Sequence, residues 1–364
     1  MKLSALAHGK DNNFNLIRIS AALAVLVTHS FVLVTGDPAI EPMRKLIGMS
    51  IGDIAVDIFF IASGFLVSAS LFKRGNLVEF FISRILRIFP ALWVMLALTC
   101  FGMAAFFTTL PLADFYRAHD TWAYLAKCGT LLGGVLFNLP GVFEENPYPN
   151  TVNGSLWSMP FEVRMYVGLA FIWLATKLVA GTNEKNLRRV VVTVFIAAAA
   201  LLAYKHHQES TGKLAKLLFM FSCGSAFFVL RDSISMNWRN FSLLSIALIL
   251  SSMHKPAFFY MYCASIGYIL FFLAYVPGGF IRHYNQIGDY SYGLYIYAFP
   301  IQQSIAALVP GISIGAMIFT SGVVTLVLAM LSWHLLEKRA LEWRHGITKF
   351  IQHRIGGKHR PSSL

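Results

Sequence analysis

The residues of this sequence that could do chemistry are ionisable side chains placed inside long apolar runs. Ten residues separate Arg18 from His29 in RISAALAVLVTH. On a helix the two would lie about 16 Å apart along the axis and within about 20° of the same face. A guanidinium binds anionic groups, and an imidazole can act as general base or nucleophile. The alternative is an arginine reaching the headgroups and a histidine bonded to a neighbouring helix.

Two carboxylates are predicted to lie at a depth similar to that of His29. Asp57 is in GDIAVDIFFIASGFL, and Glu162 is in NGSLWSMPFEVRMYV. A carboxylate beside an imidazole sets its tautomer and raises its basicity, as general-base catalysis requires. We therefore predict a catalytic group of His29, Asp57 and Glu162. The alternatives are a capping or structural hydrogen bond for Asp57, and an ion pair with Arg164 for Glu162.

A pair of arginines, Arg84 and Arg87, lies in SRILRIFPALW. Residues three apart share one helical face, and paired guanidinium groups can offer parallel N–H donors to phosphates. The pair is therefore suited to binding the phosphate groups of a ligand. The alternative is that both arginines only follow the tendency of cytosolic loops to collect positive charge.

Five further side chains lie in or next to these motifs and are predicted to bind substrate or support the site: Ser63, Trp157, Tyr166, Tyr290 and Ser291. Tyrosines near helix ends also form interfacial aromatic belts, which is the alternative for Tyr290. The chain has four cysteines with no close pair. That spacing indicates neither a metal site nor a disulfide framework, so no metal is predicted.

The composition predicts the elements that position these residues. The chain has 364 residues, 57% of them hydrophobic and only 13% charged, against about 25% charged in soluble domains. An all-α polytopic membrane bundle of about ten transmembrane helices is therefore expected, as one domain over 1–364. The predicted spans are approximately 13–35, 52–72, 85–107, 156–179, 188–204, 214–230, 240–254, 257–276, 290–309 and 313–336.

The formal net charge of +13 does not indicate a nucleic-acid partner, because the basic residues lie in short loops between apolar runs. Their distribution predicts that both termini are cytosolic, which requires an even number of spans. A basic tail from about residue 337, Lys338 to Arg360, is expected to contact anionic membrane lipids. A long segment at about 108–155 is predicted on the outer side, with a re-entrant or surface-lying helix in its first half.

Taken in order, these motifs resemble those of acyltransferase family 3, integral-membrane enzymes that O-acylate bacterial surface glycans. The resemblance rests on Arg18 with His29, on the motif at 56–66, on the Arg84 and Arg87 pair, and on the motifs at 155–166 and 288–300. It implies that His29 is catalytic, that the three arginines hold the donor, and that Glu162 is an essential acid.

The resemblance also implies the reaction and its place. The donor is expected to be cytosolic acyl-CoA, with acetyl-CoA as the default, and the acceptor a hydroxyl of a glycan or lipid-linked sugar on the outer side. A stand-alone form without an esterase-like domain, in the bacterial cytoplasmic (inner) membrane, is expected. The competing functions are a transporter or flippase for a lipid-linked saccharide or organic anion, and a non-catalytic assembly or sensing subunit. The sequence leaves the acceptor, the acyl chain and the oligomeric state open.

Overall fold

The computed structural model describes residues 1–7, 9, 11–181 and 183–356, and it is helical throughout these ranges apart from loops and two isolated β-bridges. Ten helices of fourteen or more residues form the bundle. They are α1 Phe14–Thr35, α2 Ile51–Arg74, α3 Leu77–Ala97, α4 Met159–Ala180, α5 Glu184–His207, α6 Lys213–Val229, α7 Trp238–Ser251, α8 Lys255–Tyr275, α9 Ser291–Leu308 and α10 Ile314–Ser332.

Each of the ten predicted segments overlaps one of these helices. Six helical stretches in the described chain are long and apolar enough to cross a membrane: Phe14–Thr35, Ile51–Arg74, Leu77–Phe107, Glu184–His207, Lys255–Tyr275 and Ile314–Arg354. Their length and composition support an integral membrane protein. The number of ten spans remains a prediction. The cytosolic location of both termini is also still a prediction.

Helix α2 lies at the centre of the bundle. Glycines on α2 and α6 let these two helices approach each other closely. A Cβ placed on Gly64 would lie 2.0 Å from the carbonyl oxygen of Phe221 in α6, and one on Gly224 would lie 1.9 Å from that of Ile61. At the other end of α2, the Gly52 N–H donates to Thr28 Oγ1 at 2.8 Å. Small residues at helix contacts are typical of membrane bundles, and Gly52, Gly64 and Gly224 follow that pattern.

Helix α1, which carries both Arg18 and His29, packs between α2 and α9. Gln302 on α9 fixes the middle of this contact, since its Nε2 donates to Leu26 O at 2.9 Å and to Ser30 Oγ at 2.7 Å. All three groups are buried. The rotation of α1 is therefore set by a buried polar contact as well as by apolar packing.

The segment at 108–155 folds back onto the bundle. It contains the short helices Leu112–Arg117 and His119–Thr130, the second of which provides the helix expected in its first half. The rest is irregular but held by side-chain amides. Asn146 Nδ2 donates to Gln303 Oε1 at 2.7 Å, and Asn153 Nδ2 donates to Ile296 O at 2.9 Å. These bonds join the segment to α9.

The described part of the basic tail packs against α3. After α10 the chain passes through a π-helical turn, Trp333–Glu337, and two helices, Lys338–Glu342 and Arg344–Gly356. Thr348 is buried, and Arg344 Nε lies 3.7 Å from Glu79 Oε1 on α3. The tail is thus in part a packing element, which a lipid contact alone does not predict. The final residues, including Arg360, lie outside the described residues.

Candidate active site

A cavity of about 500 Å³, called here the arginine cavity, opens at one end of α1. Four guanidinium groups and two carboxylates line it: Arg18, Arg84, Arg87, Arg344, Glu162 and Asp289. Gly9 and Arg344 both belong to its lining, so the two ends of the described chain meet at this end of the bundle. With two more cations than anions, the cavity is suited to a polyanionic ligand.

Asp289, just before α9, holds two of these arginines together. Its Oδ2 accepts from Arg18 Nη1 at 2.6 Å and from Arg87 Nη2 at 2.5 Å, and its Oδ1 accepts from Ser291 Oγ at 2.5 Å. Burial alone would raise the pKa of Asp289, but the charges of Arg18 and Arg87 lower it to about 2. The carboxylate therefore stays ionised and fixes the spacing of the two guanidinium groups.

A second carboxylate, Glu337, holds the other side of the Arg87 guanidinium. Its Oε2 lies 3.4 Å from Arg87 Nη1, and its Oε1 accepts from Ser332 Oγ at 2.9 Å. Only 1% of the Glu337 side chain is exposed. Arg87 is thus an immobilised cation between two acids, and its remaining donors are preoriented.

Glu162 belongs to the same cavity. It accepts from the Tyr166 hydroxyl, and Ser63 Oγ lies 3.0 Å from that hydroxyl oxygen. The Arg84 guanidinium lies 5.8 Å from the centroid of the Tyr166 ring. Within the part of the chain that the structure describes, Arg84 makes no ion pair with a carboxylate. Its charge is therefore available to a ligand.

A second cavity of about 540 Å³, called here the histidine cavity, lies toward the other end of α1. Its side-chain lining includes His29, Thr28, Arg44, Asp53, Asp57, Tyr148, Trp157, Lys213, Lys216, Tyr295 and Phe299. The His29 ring meets Phe299 edge to face, with 5.0 Å between centroids. His29 Nδ1 is buried and has no hydrogen-bond partner among the described residues. The imidazole is thus positioned by packing, and one of its nitrogens is not committed to a hydrogen bond in the described residues.

The three residues of the predicted catalytic group, His29, Asp57 and Glu162, do not line one cavity. Asp57 lines the histidine cavity, but its Oδ2 lies 2.8 Å from Lys216 Nζ and accepts from the Tyr262 hydroxyl at 2.8 Å. No hydrogen bond joins Asp57 to His29 in the described residues. A buried carboxylate pairs with the nearest cation, and Lys216 in the first turn of α6 supplies it.

Glu162 lines the arginine cavity and His29 lines the histidine cavity, so the structure does not bring these two residues together as predicted. The prediction assumed that α4 begins at the membrane surface. Instead, the chain before α4 is drawn inside the bundle, where Ser155 and Leu156 in a 3₁₀ turn are fully buried. Helix α4 therefore begins deep in the molecule, and its first turn faces the arginines.

Val56 of α2 and Tyr295 of α9 line both cavities. Both are buried. The Tyr295 hydroxyl donates to Ser155 O at 2.8 Å and lies 2.7 Å from Ser158 Oγ. The Phe59 ring meets the Tyr295 ring at 5.9 Å between centroids. Val56 and Tyr295 thus form the partition between the guanidinium groups of one cavity and the imidazole of the other.

Comparison with known proteins decides the family. A family model described as an acyltransferase domain matches residues 11–334, which is most of the chain. The chain belongs to acyltransferase family 3. The matched range contains every candidate residue on both cavities except Gly9 and those of the tail.

The relatives of this acyltransferase include two proteins described as O-acetyltransferases and one described as a membrane-bound transacylase. It is 29% identical to an O-acetyl transferase of Shigella phage Sf6 over 91% of this chain and 96% of that protein. It is 23% identical to a putative peptidoglycan O-acetyltransferase of Bacillus subtilis over 84% of this chain and 53% of that protein. A putative membrane-bound transacylase of Komagataeibacter xylinus is 26% identical over 49% of this chain and 45% of its own length. No solved structure matches this chain.

The other predicted residues of this acyltransferase are divided between the cavities. Ser63, Tyr166 and Ser291 line the arginine cavity, and Trp157 lines the histidine cavity. Tyr290 lines neither, because its hydroxyl bonds His334 Nε2 at 3.0 Å within a separate core cluster.

Sequence reasoning missed Asp289, Glu337, Lys216 and Tyr295. Asp289 was recognisable, since it is the acid of GDYSYG directly before a helix. Nothing in the motif distinguishes Tyr295 from the neighbouring Tyr290, Tyr292 and Tyr297. The roles of Glu337 and Lys216 depend on contacts between distant helices, which no local pattern indicates.

Proposed function

We propose that this membrane O-acyltransferase moves an acyl group, acetyl by analogy with its relatives, from acyl-CoA in the arginine cavity to a sugar hydroxyl in the histidine cavity. The observation that carries the proposal is the pair of adjacent cavities on α1, one lined by guanidinium groups and the other by His29, with a partition of Val56 and Tyr295 between them. The acceptor is a glycan or a lipid-linked sugar. The cytoplasmic membrane of a bacterium is the proposed location.

The donor half of the proposal follows from charge. Coenzyme A carries a diphosphate, which paired guanidinium groups bind with charge-assisted hydrogen bonds. Arg84 has no carboxylate partner in the described chain, while Arg18 and Arg87 are held in place by Asp289. The diphosphate would stay at the arginines, and the slim acyl-bearing arm would extend along α1 toward His29. Arg18 and His29 are about 16 Å apart along this helix.

The acceptor half rests on His29. In one form of the reaction, its free nitrogen takes the proton of the acceptor hydroxyl while the hydroxyl oxygen attacks the thioester carbonyl. The new C–O bond forms, the C–S bond breaks, and the proton passes to the departing thiolate to give free CoA thiol. In the other form the imidazole attacks first and carries the acyl group before the sugar receives it. Both forms need the same histidine and release the same products.

The test uses purified protein in detergent with acetyl-CoA and an acceptor glycan, and follows free thiol. Replacing His29 with Ala should lower acceptor-dependent thiol release roughly 10²–10⁴-fold, the usual contribution of a general base, while CoA binding is retained. His207→Ala, an exposed histidine at the end of α5, is the matched control. Full transfer by the His29 variant would exclude the proposed chemistry.

The donor site is tested by CoA binding. Arg84→Ala and Arg87→Ala together should weaken binding by at least roughly 10-fold, since charged hydrogen bonds contribute about 1.5–3 kcal/mol. Arg189→Ala, an exposed arginine on α5, should have no effect. If the double variant binds CoA as tightly as wild type, Arg84 and Arg87 do not bind the donor, and their positive charge reflects only the orientation of the protein in the membrane. A transporter or flippase would bind and move its cargo but release no thiol from acetyl-CoA.

A further inference from the structure

The start of helix α6, at the histidine cavity, carries an unusual excess of positive charge. Its N-cap is Gly212, which has no side chain to cap the helix, and its first turn contains Lys213 and Lys216 but no acidic residue. The first N–H groups of a helix have no partner within the helix, and the N-terminus carries partial positive charge. Acidic residues are favoured there and lysines are not. Another group is therefore needed to balance this end of α6.

Two of the three cationic side chains that line the histidine cavity form ion pairs with its two carboxylates, and one lysine does not. Arg44 Nη2 lies 3.0 Å from Asp53 Oδ2, and Lys216 Nζ lies 2.8 Å from Asp57 Oδ2. The cavity lining has three such cations and two carboxylates. Lys213 is the third cation, and it makes no ion pair with a carboxylate in the described ranges. The surplus positive charge is thus located at the first residue of α6.

The surplus lysine lies on an aromatic ring of the same cavity. Lys213 Nζ is 4.4 Å from the centroid of the Trp157 ring. Trp157, Tyr148 and Phe299 all line this cavity, and aromatic rings provide apolar surfaces on which a sugar ring can pack. His29, whose Nδ1 is buried and has no hydrogen-bond partner among the described residues, is in the lining as well. An open cation, aromatic surfaces and an unsatisfied imidazole therefore belong to one cavity.

We infer that the acceptor carries an anionic oxygen group, either the carboxylate of an acidic sugar or a phosphate, which binds Lys213 and the N-terminus of α6. The sugar ring packs on Trp157, and a neighbouring hydroxyl reaches His29. This inference rests on the proposed function, because it names the class of acceptor for the same site. Lys213 is assigned as a residue that determines acceptor specificity.

The test measures acceptor binding without acyl-CoA, so that it does not depend on chemistry. The intrinsic fluorescence of the protein is titrated with three ligands of equal length: a uronic-acid oligosaccharide, its carboxyl-reduced neutral counterpart and a phosphorylated oligosaccharide. Wild-type protein should bind one of the anionic ligands at least roughly 10-fold more tightly than the neutral one, as expected for one charge-assisted contact. The preferred anion identifies the source of the negative charge.

Variants of Lys213 show whether this lysine causes the preference. Lys213→Gln should abolish the preference for the anionic ligand and leave affinity for the neutral one unchanged, and Lys213→Arg should restore it. Lys185→Gln, an exposed lysine at the start of α5, is the control. Equal binding of neutral and anionic ligands by wild type, or a preference that survives in Lys213→Gln, would overturn the inference. A lysine-dependent preference in protein that releases no thiol would overturn the proposed function, and with it the assignment of the ligand as an acceptor, while the anion site at Lys213 would stand.

Discussion

At the scale of single residues, Asp289 organises the arginine cavity. One carboxylate oxygen accepts from two arginines that are 69 residues apart in the chain, Arg18 and Arg87. Two guanidinium groups repel each other unless an anion lies between them. Asp289 supplies that anion permanently, which keeps both groups in place when no donor is bound. The GDYSYG motif around it is therefore a structural requirement of the cavity.

Replacing Asp289 with Asn should lower the midpoint of thermal unfolding in detergent, because two buried guanidinium groups lose their shared counter-ion. Removing one member of a buried pair typically costs on the order of 3–5 kcal/mol. The pKa of Asp289 is about 2 in the fold, below the unfolded value of about 3.9. Its stabilisation is therefore present above about pH 4 and is lost as the pH falls toward 2.

The same measurement at several pH values checks this account. The difference in unfolding midpoint between wild type and the Asn variant should be constant near neutral pH and should narrow below about pH 4. Asp289→Glu, which keeps the charge, should lose less stability. An Asn variant as stable as wild type at pH 7 would show that the arginines do not need this carboxylate.

At the scale of elements, the contact of α2 with α6 has no room for an added methyl group. Gly224→Ala would place a Cβ 1.9 Å from Ile61 O, so that the helices would have to move apart. Overpacking of this kind costs on the order of 1–3 kcal/mol or more. The variant should unfold at a lower temperature and lose activity, since Asp57 on α2 and Lys216 on α6 pair across this contact.

A second glycine supplies the control for this experiment. Gly322 lies inside α10, and a Cβ there would meet nothing within 4 Å. Gly322→Ala should leave the unfolding midpoint unchanged or raise it slightly, because alanine is the better helix former. Equal destabilisation by both substitutions would show that the effect comes from the helix backbone and not from the α2–α6 contact.

At the scale of the whole molecule, the partition between the cavities should decide which acyl groups are transferred. In the proposed reaction the acyl group passes Val56 and Tyr295 to reach His29. Val56→Ala should raise the rate with butyryl-CoA relative to acetyl-CoA by roughly 10-fold or more, since one methylene in an apolar site changes discrimination by that amount. Initial rates of thiol release with the two donors measure the ratio.

Two further variants complete this experiment. Val56→Phe should stop transfer while leaving CoA binding intact, because it narrows the passage without changing the arginines. Val191→Ala, a buried valine on α5 that lines neither cavity, should leave the donor ratio at the wild-type value. An unchanged ratio in Val56→Ala would show that the acyl group takes another route.

The sequence by itself determined which segments become helices and where costly charges lie. Hydropathy and helical rise are local properties, so the ten apolar segments and the common helix of Arg18 and His29 were predictable. The same local geometry put the arginine pair on one face. The motifs were also sufficient to indicate the acyltransferase family.

Only the tertiary structure decided which charge pairs with which. Asp57 was predicted beside His29 but pairs with Lys216, and Glu162 joined the arginines because the chain before α4 is buried. Such pairings depend on how each helix is rotated and how deep it starts. Those quantities are set by contacts between residues far apart in sequence, such as Gly64 with Phe221 and Asn153 with Ile296, and not by any period within one helix.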